Sequence, residues 1–190
     1  MKGEDTVVSS LIARLGLGEY SLKTIMSWGF NREDIVTLVE KGVLKSRIRD
    51  KYGGFFRLRC DDDKCYYVSS DAKYLTIPRD EAELVSIDVD KLVKIIREKL
   101  SIKGDISQYD NSIWIIGHIE IADVKVPVML TILTVNNAES ILLKLAGLLS
   151  LKLRELASVV VAPTRDVEHM VRVFPRSVIF VDIGDVLFSS

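Results

Sequence analysis

Few residues in the chain have reactive side chains, and Cys60 and Cys65 are its two cysteines. Four residues separate them, so on two paired strands they would face each other closely enough for a disulfide. Two small apolar thiols are the other interpretation, and both remain open. With two cysteines and two histidines in total, a zinc site built within one chain is not expected.

His118 and Glu120 lie two residues apart on a predicted strand and therefore share one face. A catalytic pair needs a third group within reach, and none accompanies them, so a half-exposed histidine is the favoured interpretation. The sequence also lacks a glycine-rich phosphate loop and the HExxH, CxxC and Gly-x-Ser-x-Gly motifs. We expect no enzyme activity, no cofactor and no metal.

Basic side chains concentrate between residues 41 and 59, although the whole chain is nearly neutral, with 26 Lys+Arg against 27 Asp+Glu. This stretch contains seven basic residues and a single acid, Asp50. Alternate residues on a strand share a face, so the cations at 45, 47 and 49 are predicted to point one way, and those at 57 and 59 also. The predicted phosphate-binding residues are Lys45, Arg47, Arg49, Lys51, Arg57 and Arg59.

Three short helices and then strands must position these cations. Apolar residues three and four apart predict the helices, with Thr6, Ser21 and Asn31 as N-caps and with Gly16 and Gly42 ending the first and the third. The strands predicted to follow are Leu44–Ile48, Phe55–Cys60 and Cys65–Ser69. Residues 1–70 are thus predicted to be an α+β domain and residues 71–86, around Pro78, a polar linker.

The segment from Ser21 to Leu44, which ends in Leu-Val-Glu-Lys-Gly-Val-Leu, resembles the helix-turn-helix core of winged-helix DNA-binding proteins. The resemblance covers about one third of the chain and implies that double-stranded DNA is a partner. It makes the third helix the recognition helix, where Asn31, Arg32 and Thr37 are suited to base contacts. Tyr52, at the tip of the wing, is then expected to enter a groove or stack on a base.

The recognition helix also supports an alternative, in which the winged helix contacts a partner protein. Its polar residues carry a net charge of −1, and a helix in the major groove usually offers more donors to bases. The acidic loop Asp61–Asp63 must face away from phosphate. The basic strands favour DNA over the protein contact.

Residues 87–190 are predicted to form an α/β domain, a mixed sheet flanked by helices. Pro127 predicts an edge position or a bulge in the second strand of its hairpin. A helix over residues 138–157 is apolar most of the way round, which favours a subunit interface and a homodimer. The predicted interface residues are Ile141, Leu145, Leu148, Leu149 and Leu153.

The order helix, β-hairpin, helix, strand, helix, strand resembles the restriction-endonuclease-like fold. That family holds Mg²⁺ with an Asp at the start of one strand and an acidic-x-Lys sequence on the next. In this sequence Asp110 matches the first Asp of the pattern, and Asp123 and Lys125 match the acidic-x-Lys sequence. The hairpin would separate Asp110 from Asp123 by about 30 Å, too far to share an ion, so the metal site is not expected.

We therefore expect a dimeric winged-helix transcriptional regulator whose second domain supplies dimerisation or sensing. The alternatives are a non-catalytic subunit of a nucleic-acid-processing complex, with a partner protein, and an active metal-dependent nuclease. Early charges predict no signal peptide, and the longest apolar run is too short to span a bilayer, so the cytoplasm is the expected location. One Gln and four Asn are typical of thermophile proteins, and intracellular disulfides occur in hyperthermophilic archaea.

Overall fold

The computed structural model describes residues 4–152, 157–175 and 177–189, which form helices and three β-sheets. The chain divides into two compact units. Residues 18–88 form one, called here the inserted unit, and the segments before and after it form the other, called here the flanking unit. This division differs from the predicted boundary near residue 70.

The inserted unit contains two helices and a three-stranded antiparallel sheet. The helices α2 and α3 follow one another between the first two strands of the sheet, and the strand order is β1-β7-β2. The elements are β1 (Tyr20–Ser21), α2 (Leu22–Ser27), α3 (Arg32–Glu40), β2 (Leu44–Ile48) and β7 (Glu83–Ile87). The first predicted helix, α1 (Glu4–Leu15), is confirmed as a helix but belongs to the flanking unit.

The ends of α2 and α3 follow the predicted signals. Ser21 is the N-cap of α2, and its side chain accepts a hydrogen bond from the backbone N–H of Thr24 at 3.1 Å. Asn31 is the N-cap residue of α3 by position, but its side chain makes no capping hydrogen bond. Gly42 follows α3 with φ of 77°, a left-handed conformation that glycine adopts without strain.

A second, four-stranded antiparallel sheet lies between β2 and β7 in the sequence, in the order β3-β4-β5-β6. Its strands are β3 (Lys51–Tyr52), β4 (Phe55–Cys60), β5 (Lys64–Val68) and β6 (Tyr74–Pro78), followed by the short helix α4 (Arg79–Ala82). Residues 71–86 are therefore not a linker. The buried side chains of Ile77, Leu84 and Val85 hold this segment in the unit, although polar residues surround them in the sequence.

Cys60 and Cys65 are joined by a disulfide across the β4–β5 pair. Cys65 is completely buried, and Cys60 packs against the same small core, in which Tyr67, Ile77 and Ala82 are buried. The disulfide interpretation therefore applies, and the bond ties the two middle strands of the second sheet together.

The flanking unit is built on a mixed five-stranded sheet in the order β12-β11-β10-β9-β8. Its strands are β8 (Ser107–Asp110), β9 (Ile113–Ile121), β10 (Val124–Thr131), β11 (Ser158–Ala162) and β12 (Val178–Asp182). The helices are α1, α5 (Val89–Lys99), α6 (Ala138–Lys152), α7 (Glu168–Val171) and α8 (Ile183–Phe188), with a 3₁₀ turn over Arg165–Val167. The strands β8 to β10 are antiparallel, whereas β10, β11 and β12 are parallel. The sequence did not predict β8 or α8.

Pro127 lies within β10 and pairs directly with His118 of β9, and the register shift of this pair follows Val128, where Ile116 of β9 is the extra residue. The pairing of β10 with β11 begins at Val128, so the missing N–H of Pro127 breaks none of those bonds. β10 is not an edge strand, and the bulge of the hairpin is on β9, one pair beyond Pro127, so the predicted bulge is not at the proline.

Helix α6 packs its apolar side into the core of its own chain. Ile141, Leu145 and Leu148 are at most 3% exposed, and they contact the sheet residues Met129 and Val160. The predicted dimer interface is therefore wrong for these three residues, because a side chain that already fills the core has no surface left for a second subunit. Leu149 packs against the same core, and Leu153 lies outside the described residues.

A buried carboxylate, that of Asp182, ties α1 to the ends of the parallel strands. It accepts hydrogen bonds from the Ser9 hydroxyl at 2.7 Å, from the backbone N–H and hydroxyl of Thr164 at 2.9 Å, and from the Gly184 N–H at 2.9 Å. The Arg165 Nε lies 3.6 Å from Oδ1 of Asp182 and completes an ion pair. Because Asp182 is 6% exposed, this set of donors replaces the water it has lost.

We predict that Asp182→Ala lowers the free energy of unfolding by about 3–5 kcal/mol, because it leaves buried donors without an acceptor. Denaturant titration measures this loss. Asp185→Ala is the matched control, since Asp185 also pairs with Arg165 but has a 53% exposed side chain, and it should cost about 1 kcal/mol or less. Equal losses in the two variants would show that the Asp182 network does not hold the unit together.

Candidate nucleic-acid interface

The three residues predicted to read bases lie on the exposed side of α3. Asn31, Arg32 and Thr37 are exposed, whereas Ile35 and Leu38 on the other side of the helix are 2% exposed. Helix α3 packs against β2, so the polar side of the helix and the first basic strand belong to one part of the inserted unit.

Strand β2 carries the first of the predicted cations. Lys45 and Arg47 are exposed and share one face of the strand. Arg47 is bound by a carboxylate: its guanidinium donates to both oxygens of Glu19, at 2.8 and 2.7 Å. This hydrogen bond raises the pKa of Arg47, and the pair largely cancels the charge that Arg47 offers to a ligand.

Tyr52 is engaged inside the unit. Its hydroxyl donates to Glu81 at 2.5 Å, and its ring centroid lies 6.1 Å from that of the buried Tyr67. The hydrogen bond to Glu81 raises the pKa of Tyr52, and the Arg49 guanidinium lies 5.2 Å from the Tyr52 ring. Tyr52 is thus a packing residue and is not at a wing tip that reaches into a groove.

A β-bulge changes the directions of the cations on β4. Arg57 pairs with Tyr67 and Arg59 with Tyr66, so Leu58 is an extra residue between them. Since Tyr66 and Tyr67 are neighbours on β5, they face opposite sides of the sheet, and their partners do as well. The prediction that Arg57 and Arg59 point the same way is therefore wrong.

Aromatic rings accompany the cations on the second sheet, a feature that the sequence analysis missed. The Lys51 ammonium lies 5.0 Å from the Phe56 ring centroid, and the Arg59 guanidinium lies 5.3 Å from that of Tyr66. The signal in the sequence was the alternation of aromatic and basic residues from Lys51 to Tyr66.

The acidic turn between β4 and β5 is organised around Asp61. Its carboxylate accepts from the Lys64 N–H at 2.7 Å, from the Asp63 N–H at 3.0 Å and from the Tyr66 hydroxyl at 2.8 Å. The bond from the Lys64 backbone, and next that from Tyr66, lowers the pKa of Asp61, so the turn stays negative. Phosphate is therefore excluded from this end of the sheet.

His118 and Glu120 do not form a reactive pair. Glu120 accepts from the Lys103 ammonium at 2.7 Å, and the backbone of His118 is paired with that of Lys103. Within the described residues no group of three or more His, Cys, Asp or Glu side chains is placed to hold a metal ion.

The carboxylates matched to a nuclease lie at opposite ends of the β9–β10 hairpin. Asp110 pairs with Ile113, and Asp123 is in the turn before Val124, which pairs with Ile121. Asp110 accepts from the Lys144 ammonium at 2.7 Å and from the Ser112 N–H and hydroxyl at 2.7 and 2.8 Å. Burial acts to raise the pKa of Asp110, but these donors outweigh it and lower the pKa from 3.8 to about 2.

We predict that Asp110 stabilises the fold above pH 4 and that this contribution disappears as the pH falls from about 4 to 2. Stability falls with falling pH because the folded protein holds the Asp110 pKa below its value in the unfolded chain. At pH 6, Asp110→Asn should lower the free energy of unfolding by at most about 2 kcal/mol, since the side chain keeps some solvent contact. Denaturant titrations at pH 6 and pH 2.5 test this.

Asp123→Asn in the exposed hairpin turn is the control for this experiment, and its effect should stay within about 0.5 kcal/mol at both pH values. A loss in Asp110→Asn that is the same at pH 6 and pH 2.5 would show that ionisation of Asp110 is not the source of its contribution.

Comparison with known proteins assigns no family to the chain, because no family model, no curated protein and no solved structure matches it. Among the described residues, no helix combines the length and the apolar character that crossing a membrane requires. Function must therefore be inferred from the side chains, and the inserted unit presents cations and aromatic rings together on exposed strands.

Proposed function

We propose that the inserted unit is a winged helix that binds double-stranded DNA and that the protein is a transcriptional regulator. The observation that carries the proposal is the element order: α2 and α3 are joined by a short turn and are followed by the antiparallel pair β2–β7. In the winged-helix proteins that this segment resembles, the strand pair after the second of these helices is the wing. The strands of the proposed wing are thus β2 and β7, and residues 49–82 form an insertion at its end.

Phosphate contacts supply most of the proposed affinity. Lys45 on β2 and Arg49 just after it flank Arg47, and the hydrogen bonds of Glu19 go to Arg47 and not to them. Cations of this kind place a protein on a duplex without reading its sequence, and their contribution falls steeply with salt. Arg32 and Thr37 on α3 then face the bases, while Glu33 and Glu40 on the same helix limit the number of base contacts.

We also propose a homodimer, whose contact surface lies on the exposed side of α6 and not at the buried residues Ile141, Leu145 and Leu148. On the outer side of α6 and near the end of α7, Leu143 is 69% and Val173 is 83% exposed. They line an apolar groove of about 370 Å³ together with Leu142, Met170 and Phe174. Exposed apolar grooves are frequent contact sites, and a dimer would place two wings on one duplex.

The second candidate is a non-catalytic subunit of a nucleic-acid-processing complex. It is favoured by the flanking unit, in which α5 precedes the antiparallel strands β8 to β10 and α6 leads into the parallel strand β11. This is the order of the restriction-endonuclease-like fold. Where that fold carries its acid and lysine, β10 has the buried residues Met129 and Thr131, and an active nuclease is not favoured.

We predict that the double variant Lys45→Ala/Arg49→Ala binds a 20-base-pair duplex more weakly than the wild type. The slope of log K against log salt should fall by about two, one for each lost phosphate contact. Fluorescence anisotropy with a labelled duplex at several salt concentrations measures both quantities.

The charge-matched control is Lys125→Ala/Arg172→Ala, which removes two exposed cations from the flanking unit. It should leave affinity and slope unchanged. An unchanged slope in Lys45→Ala/Arg49→Ala would remove the wing from the DNA interface and leave the protein-contact alternative for the winged helix.

A further inference from the structure

One face of the four-stranded sheet β3-β4-β5-β6, called here the outer face, has no layer of protein against it within residues 4–152, 157–175 and 177–189. The pairing register assigns residues to faces, because directly paired residues point to the same side. The outer-face residues that matter are Lys51, Phe56, Arg59, Lys64, Tyr66 and Tyr74. The opposite face is covered, and its Cys65 and Tyr67 are completely buried.

Aromatic rings on the outer face lie open to solvent. Phe56 is 47% and Tyr74 is 71% exposed, while Tyr66 is half-buried. A large exposed aromatic surface on a sheet marks a binding surface more often than a structural one. The rings belong to three different strands, so the sheet fixes their spacing.

The spacing of the rings fits bases that are not stacked on each other. Phe56 and Tyr74 both pair with Val68 and so stand two strands, about 10 Å, apart. Tyr66 is the diagonal neighbour of each, about 7 to 8 Å away. Bases in a duplex strand are only about 3.4 Å apart, so successive bases would meet successive rings only in an unpaired, extended strand.

The charge of the outer face is complementary to a phosphate backbone. Its strand positions include the cations Lys51, Arg59 and Lys64 and no acid, and the one carboxylate bound to an outer-face side chain in the described residues is Asp61, which accepts from the Tyr66 hydroxyl. The carboxylates lie in the turns at the two ends, Asp61 to Asp63 between β4 and β5 and Asp71 between β5 and β6. A bound polyanion therefore runs across the strands, along the row from Phe56 to Tyr74, instead of along them.

We propose that the outer face binds single-stranded DNA, with unpaired bases stacked on Phe56, Tyr66 and Tyr74 and phosphates held by Lys51 and Arg59. Aromatic rings interleaved with cations are the combination that binds single strands with little sequence preference. The choice of DNA over RNA rests on the proposed duplex-binding function, whereas the stacking surface rests on the ring positions alone.

The test is fluorescence anisotropy with the full chain and labelled oligo(dT) of 12 nucleotides, without reductant so that the disulfide stays intact. Phe56→Ala and Tyr74→Ala should each weaken binding by between about 5-fold and 100-fold, the effect of losing one stacked base. Phe56→Tyr and Tyr74→Phe keep an aromatic face and should retain affinity within about threefold. Phe56→Leu keeps apolar bulk without a ring and should behave as Phe56→Ala.

Val135→Ala is the control, since it removes a 65% exposed apolar side chain from the flanking unit and should leave binding unchanged. Circular dichroism confirms that each variant is folded. The proposal is overturned if the wild type does not bind oligo(dT), or if the ring-removing variants bind like the wild type. Binding of oligo(rU) that is more than tenfold tighter would overturn the assignment to DNA.

A blunt-ended duplex measured in parallel separates this proposal from the previous one. Loss of single-strand binding with unchanged duplex binding in Tyr74→Ala supports two separate surfaces. Failure of duplex binding with intact, ring-dependent oligo(dT) binding would contradict the winged-helix proposal and leave the outer-face proposal standing.

Discussion

The inserted unit depends on the pairing of β7 with two strands that precede it by many residues. Val85, in the middle of β7, pairs with Tyr20 of β1 on one side and with Ser46 of β2 on the other. This pairing brings residues 49 and 82 together, and the backbone N–H of Arg49 donates to the carbonyl of Ala82 at 2.9 Å. The segment between residues 49 and 82 begins and ends at this one point of the unit, and it forms a separate sheet, β3-β4-β5-β6.

The second sheet follows from this closure. One of its faces packs Tyr67 and Ile77 into a small core with Ala82 of α4. The Tyr67 hydroxyl donates to the carbonyl of Arg49 at 2.8 Å, beside the hydrogen bond between Arg49 and Ala82. The small core covers one face of the sheet and leaves the other without a layer. The two proposed DNA surfaces correspond to this division, with α3 and β2 proposed to meet a duplex and the exposed face of the insertion an unpaired strand.

Local patterns in the sequence were sufficient for the first three helices but not for the surfaces. The apolar spacing predicted α1, α2 and α3, because this signal acts within one or two turns. Of the predicted caps, Ser21 makes its hydrogen bond, whereas Thr6 lies inside α1. The partner of Arg47 is Glu19, which lies 28 residues away, and only the fold brings them together. The bulge at Leu58 reversed the direction of Arg59, since one added residue moves every later side chain to the other face. Helix α6 has apolar residues on all sides, so its sequence pattern could not predict that Leu145 faces the core and Leu143 faces solvent.

The central claim is that the inserted unit binds DNA through two surfaces, and chemical-shift mapping by NMR on this 21.4 kDa chain tests it most directly. A duplex with and without a single-stranded tail is added to the labelled protein. We expect the blunt duplex to shift amide resonances of α3 and β2, and the single-stranded tail to shift the ring resonances of Phe56 and Tyr74 in addition. Two results would contradict the proposal of two DNA-binding surfaces. One is chemical-shift changes confined to the flanking unit, and the other is ring resonances of Phe56 and Tyr74 that do not shift at a saturating concentration of tailed duplex.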